Sequence, residues 1–390
     1  MNKNFMNIEN TVNVYDFGAD GTGVADSSEA FALAVLKAKN DKKTLYIPQG
    51  RFRIEHTIRI PSDFYIYAEP NARIYLGSER KKQKGDFLLT NDDHENGNVN
   101  IHIEGGIWDG NNKGAGNAKP DIFDKNGYSG TVLNFCNVKG LCLKNMVVAN
   151  SVTYNIRMAK LESFYIDNIA FLSDVPGHNQ DGLHFNGEVR HGIVRNIRAL
   201  SYGQTNDDLI AINADDSMER VENLGMVRGA VEDIVFENLY AENCHTIIRL
   251  LSVYSPIRNL TFRNVFGGYR CYAINLDGAR YCRTPLFAED EYPAGCGIIE
   301  NVKIENMVCY PTSESGTPAV FLESLADNFV INNFSIISQS EVSPNVTALH
   351  AANITETEIT ADNEKIVFTD KKQSQNIHNF SYLSVNHIKH

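Results

Sequence analysis

Two segments hold the residues best able to do chemistry: HNQDGLHFNG, residues 178–187, and TNDDLIAINADD, residues 205–216. When DGLHFN is laid against DLIAIN, Asp181 falls opposite Asp208, and Asp207 sits one residue earlier. Equivalent positions on neighbouring strands lie about 4.8 Å apart, so three carboxylates would meet at one strand end. Crowded acids do not all ionise together, and one of them keeps its proton near neutral pH. A protonated carboxyl beside an ionised one is what cleavage of a glycosidic bond requires: an acid for the leaving oxygen and a base for water. Alone, each segment reads as an ordinary turn. Their matched position gives them weight.

Strand alternation sorts the neighbours. With Leu183, Phe185, Ile210 and Ile212 inward, His184, Asn186, Ala211 and Asn213 face outward beside the carboxylates. In HTIIRLLS, inward Ile248 and Leu250 place His245, Ile247 and Arg249 outward, and in YNIRMAK Arg157 faces outward by the same rule. Asp215 and Asp216 follow the strand and read as a solvated rim.

Such a site needs a stack of strands, and the chain repeats accordingly. A short unit of alternating apolar residues with Asn or Asp recurs as VKGLCLKN, FYIDNIAF, GIVRNIRA, VEDIVFEN, IRNLTFRN and IENVKIEN, anchored at Leu141, Ile169, Ile197, Ile234, Leu260 and Val302. Between these units runs a second series: TVLNFCN, YNIRMAK, DGLHFNG, DLIAINAD, HTIIRLLS, CYAINLDG, AVFLESL and TALHAANI. Short strands at this period, without helical segments between them, indicate an all-β parallel solenoid, with Asn at the bends because it tolerates the left-handed conformation. Residues 1–390 therefore form a single domain: 1–50 a cap and first strands, 51–360 the coils, 361–390 a C-terminal tail or cap. One helix is expected, over SSEAFALAVLKAKND, with Asp26 or Ser27 as N-cap and Phe31, Leu33, Ala34, Val35 and Leu36 apolar, closing the first coil.

VNVYDFGADGTGVADSSEAFALAVLKA followed by LYIPQGRFRI resembles the N-terminal signature of pectate-lyase-superfamily proteins, which include polygalacturonases of glycoside hydrolase family 28. The resemblance implies a single-stranded right-handed parallel β-helix with an N-terminal capping helix. It extends to the site, where NQDG at Asn179 to Gly182 and Asn206-Asp207-Asp208 match the family's NTD and DD motifs, with Gln180 in place of Thr. Carried over, Asp207 is the general acid, Asp181 and Asp208 hold the water for inverting attack, and His245 is the family His, although GHG has become CHT. The family's RIK triplet should fall in YRCYAIN, where Arg270 and Asn275 stand and no Lys is present. Arg249 or Arg270 would then have to grip a sugar carboxylate. The expected site is catalytic Asp181, Asp207, Asp208 and His245, with Arg157, His184, Asn213, Arg249, Arg270 and Asn275 binding substrate, and no metal or cofactor.

This implies an inverting glycoside hydrolase on an acidic, pectin-type polysaccharide or oligosaccharide. The alternatives are a calcium-dependent polysaccharide lyase or uronate epimerase on the same fold, or a non-catalytic glycan-binding β-helix. Insertions at 214–230 and 276–297, the latter with Arg280, Tyr281, Arg283 and Tyr292, would close one end of the cleft and favour exo action.

Composition bounds the partners. Thirty-six basic residues against 48 acidic ones give a formal charge of −12, which speaks against nucleic acid or an anionic membrane surface. No window approaches a membrane span, and the start lacks the apolar core of a signal peptide, so a cytoplasmic location is expected. The seven cysteines, an odd number without a CxxC pair, read as small buried hydrophobes in a reducing compartment. No GxxxxGK, GxGxxG, HExxH or GxSxG occurs.

Overall fold

A computed structural model describes residues 10–77, 87–112, 129–177, 179–201, 205–218, 223, 225–278, 297–313, 319–322, 324 and 326–338, together with the strand segments Leu349–Ala351, Thr357–Ala361, Glu364–Phe368, Ser374–Gln375 and Ser381–Ser384. The strands stack as coils of a parallel β-helix. All eight segments of the second series share one register, through Leu133, Ile156, Leu183, Ile210, Ile248, Ile274, Val320 and Leu349. Those of the lane up to Val320 are buried in the core.

The first series forms two lanes where one was expected. One runs Phe164, Gly192, Ile234, Leu260, Val302, Phe329; the other runs Met146, Ile169, Ile197, Leu239, Val265, Met307, Phe334. The anchors Ile169 and Ile197 therefore belong to the second lane, and Ile234, Leu260 and Val302 to the first. The slip has a physical cause: each coil bends twice, and an Asn followed by an apolar residue marks either bend.

At the second bend Asn145, Asn168, Asn196, Asn238, Asn264, Asn306 and Asn333 all have φ between 54° and 58°. Their amides hand on along the stack, with Asn168 donating to Asn145 at 2.9 Å, Asn238 to Asn196 at 3.0 Å, Asn264 to Asn238 at 3.1 Å, Asn306 to Asn264 at 3.2 Å and Asn333 to Asn306 at 3.0 Å. A short polar side chain relieves the left-handed backbone and joins coil to coil. Inside, Phe236 stacks on Phe262 at 4.5 Å and meets Phe185 edge-on at 6.0 Å.

The helix spans Ser28–Asp41. Ser27 is the N-cap, without a side-chain capping bond, and Asp26 Oδ1 just before it accepts from the Ser28 N–H at 3.0 Å. The helix buries Ala30, Phe31, Ala34, Val35 and Ala38, and Phe31 meets Phe52 of the first coils edge-on at 5.5 Å. Leu33 and Leu36, expected on that apolar face, are exposed. At the other end Glu364–Phe368 turns back antiparallel onto Thr357–Ala361, and Ser381–Ser384 pairs parallel with Ala326–Ser338. Cys136, Cys244 and Cys309 are buried, and burial raises their thiol pKa values; Cys142 and Cys271 are half-buried, and Cys282 and Cys296 lie outside the described residues.

Candidate active site

The site forms where the chain turns a corner. Leu209, Ile247 and Ala273 are wholly buried, and so are Ile210, Ile248 and Ile274 that follow them. Two consecutive core residues break the alternation at each coil. Ile247, expected outward, is therefore core, and Asp208 sits among polar groups although Ile210 and Ile212 point inward.

Asp181 and Asp208 are one coil apart and bonded to each other. The Gly182 N–H donates to the Asp208 carbonyl at 2.8 Å, and the Asp208 N–H donates to Asp181 Oδ1 at 3.2 Å. On the next coil Thr246 pairs in register with Asp208, and the His245 N–H donates to the Asp207 carbonyl at 3.0 Å. His245 Nδ1 lies 3.5 Å from Asp207 Oδ1 and 3.9 Å from Asp208 Oδ1. The expected carboxylates and His245 thus share one cluster.

Exposure divides them. Asp181 and Asp208 are buried, whereas the side chains of Asp207 and His245 are 25% and 44% exposed. Loss of water around the Asp207 carboxyl, then the charges of Asp208 and Asp181, push its pKa up to about 8. His245 is pushed up to about 10, first by its hydrogen bond with Asp208, then by Cys271 and the nearby carboxylates. Near neutral pH the accessible pair is a protonated carboxyl and an imidazolium.

The cations expected to bind substrate are engaged within the protein. Arg249 places Nε and Nη2 on Asp277 Oδ2 at 3.0 and 2.7 Å and Nη1 3.5 Å from Asp208 Oδ2. Arg270 clamps the Asn206 carbonyl and side chain at 2.9 and 2.8 Å and the Asn243 carbonyl at 2.9 Å, fixing the turn that presents Asp207. Arg157, expected at the surface, is buried, donating to Asn134 at 2.8 Å and lying over the Phe87 ring at 5.2 Å. Asn213 and Asn275 are buried as well, Asn275 directly opposite Arg249.

Two residues read as rim are internal. Asp215 Oδ2 accepts the N–H groups of Val253, Tyr254 and Ser255, each at 2.7 Å, and pins the following coil. Asp216 Oδ2 lies 3.2 Å from His184 Nε2, while His184 Nδ1 lies 2.5 Å from Asp181 Oδ2. His184 is 1% exposed and stacks on Tyr154 at 3.8 Å. Tyr154 was legible in principle: laying YNIRMA against DGLHFN sets it opposite Asp181. Asp216 was not, because a loop residue carries no register.

The described part of the 214–230 insertion folds back over the coils that precede the carboxylates. Gly187 N–H donates to the Val227 carbonyl at 2.8 Å, Cys136 Sγ contacts the Gly225 carbonyl at 3.4 Å, and Met226 packs on Cys136 and Ala159. Asn134, Arg157 and His184 are buried on that side. Residues 279–296, including Arg280, Tyr281, Arg283 and Tyr292, lie outside the described residues. Among the described residues, Asp207, Asp208 and His245 offer ligand atoms within 4.8 Å of one another. A metal there would have to displace the His245 proton and tolerate Arg249.

A family model described as "Rhamnogalacturonase A/epimerase, pectate lyase-like" matches residues 11–270. The chain belongs to this family. Among solved structures it is similar to an exopolygalacturonase of Thermotoga maritima (TM-score 0.58, 15% identity, 94% of this chain and 95% of that one). It is also similar to the surface adhesin PfbA of Streptococcus pneumoniae (TM-score 0.57, 14% identity, 90% and 91%). At such identities the likeness speaks for the fold, a right-handed parallel β-helix. In sequence, a polygalacturonase of Arabidopsis thaliana is 24% identical over 310 residues, 76% of this chain and 63% of that protein. A pre-neck appendage protein of Bacillus phage B103 is 33% identical over 100 residues, 26% of this chain but only 11% of that protein. Membership of the rhamnogalacturonase A/epimerase family thus spans the coils that carry Asp181, Asp207, Asp208 and His245.

Proposed function

We propose that the protein is an inverting glycoside hydrolase acting on an acidic, pectin-type glycan. The observation that carries this reading is Asp207, an accessible carboxyl pushed up to about 8 beside buried Asp208 and Asp181. Asp207 protonates the leaving oxygen, and the Asp181–Asp208 side activates water. His245, cationic and exposed, meets the negative charge of the sugar, since Arg249 and Arg270 are held by protein groups. The part of the 214–230 insertion that lies over the coils before the carboxylates favours exo action on short substrates. Defined pectic oligosaccharides, followed by NMR for product anomer, test this. Inverted product that disappears in Asp207→Asn supports it, and an ultraviolet-absorbing unsaturated product replaces it with lyase chemistry.

The burial of Asp181 and Asp208 favours a second reading, a glycan-binding β-helix that does not turn over. Under that reading the oligosaccharides bind and remain intact.

A further inference from the structure

Resting on the hydrolase reading, we propose that His184 binds no sugar but is a positioning residue bridging Asp181 to Asp216, which leaves Asp208 as the carboxylate that activates water. Both ring nitrogens of His184 face carboxylates, at 2.5 and 3.2 Å, and its ring face lies against Tyr154. With both ring nitrogens turned to carboxylates and one ring face against Tyr154, no edge is left for a ligand. Asp181 is spent likewise: Oδ2 faces His184, and Oδ1 accepts the Asp208 N–H at 3.2 Å.

Asp208 differs. Its Oδ2, though buried, accepts no hydrogen bond and lies 3.5 Å from the Arg249 guanidinium. An oxygen set against a cation and without a hydrogen-bond donor is the one left to take a proton from water. Nδ1 is hydrogen-bonded to Asp181, while Nε2 is paired by charge with Asp216 at 3.2 Å outside hydrogen-bond geometry, a pairing that requires the doubly protonated ring. The charges around it are Asp181 and Asp216 in contact, Asp208 and Arg249 beyond Asp181, and Arg157 opposite it on the preceding coil. A buried ion pair costs desolvation and loses most when one partner is removed, so the triad acts as a unit. Asp216 belongs to the 214–230 insertion, and the bridge therefore also fastens that cover to the site.

The full-length protein tests this in two independent ways. In ¹⁵N NMR, imidazole signals assigned through their loss in His184→Gln should show both nitrogens protonated from pH 5 to 8; a singly protonated ring in that range overturns the bridge whether or not the chain turns over a glycan. In kinetics, Asp208→Asn should lower kcat by ~10³-fold or more, whereas Asp181→Asn and His184→Gln should lower it by roughly 10- to 50-fold with little change in KM. His184→Ala should be worse than His184→Gln, whose amide still donates to Asp181. An Asp181→Asn deficit equal to that of Asp208→Asn, or a raised KM with intact kcat in His184→Gln, overturns the assignment. A wild-type chain without turnover removes the hydrolase reading, and the NMR result still decides the bridge.

Discussion

The main-chain N–H of His245 donates to the carbonyl of Asp207 at 3.0 Å, while the His245 ring stands 3.5 Å from the Asp207 carboxyl. The sheet ladder itself sets an imidazolium against an acid whose proton it must not take. With His245 at about 10 and Asp207 at about 8, both groups hold protons at neutral pH.

The first prediction concerns activity against pH. If Asp207 must be protonated, kcat on a cleaved oligosaccharide should fall tenfold per pH unit once pH exceeds about 8. Asp207→Asn should lose about 10²- to 10⁴-fold at the optimum and show no such alkaline limb. A wild-type profile that stays flat to pH 10 would remove Asp207 from the acid role.

Stability should depend on pH through the same two groups. A folded pKa above the unfolded one means that the native state binds the extra proton, so stability declines as pH rises between the two values. For Asp207 that window runs from 3.8 to about 8, and for His245 from 6.5 to about 10. Melting temperature should therefore drop from pH 5 to pH 9, more gently in Asp207→Asn and in His245→Gln.

Asp215 should matter to folding more than to chemistry. Its Oδ2 takes three N–H groups of the next coil, and its Oδ1 takes the Ser255 hydroxyl at 2.7 Å. Asp215→Ala leaves buried donors unmet and should cost about 2–3 kcal/mol in denaturant unfolding. A loss below half a kcal/mol would mean that water replaces the carboxylate.

The asparagine row can be tested at Asn264, φ 57°, which donates to Asn238 and accepts from Asn306. Asn264→Ala forces a Cβ residue without compensating bonds into the left-handed region and should cost about 1–2 kcal/mol. Asn264→Gly, which removes the bonds but not the permitted φ, should cost less. Equal losses would show that the bonds, and not the backbone, decide.

In the core, Phe262 stacks on Phe236 at 4.5 Å and is wholly buried. Phe262→Ala should cost about 3–5 kcal/mol, read from the shift in urea midpoint.

The coil architecture was legible because it rests on periodicity, and periodicity survives without coordinates. The repeat itself fixes the lane from Leu133 to Leu349, and with it the opposition of Asp181 and Asp208. Alternation failed where geometry departs from it: at the corner, two successive core residues sent Ile247 inward. Burial was not legible either, since Arg157 and His184 do lie on the outer side of their strands but under cover, and a strand pattern cannot show what a distant loop lays over it. Asp216 and Asp277 were missed for the same reason. Their roles come from the partners they meet, His184 and Arg249, and not from spacing.

The asparagine row also separates the length of the chain from the pitch of the fold. Asn168 and Asn145 are 23 residues apart and Asn264 and Asn238 are 26, yet Asn238 and Asn196, or Asn306 and Asn264, are 42 residues apart and still sit one rung from each other. The two long intervals contain residues 214–230 and 276–297. New sequence can be loaded at these two places without moving a rung. The stack behaves as a rack with fixed spacing, in which extra length between rungs leaves the carboxylates in register.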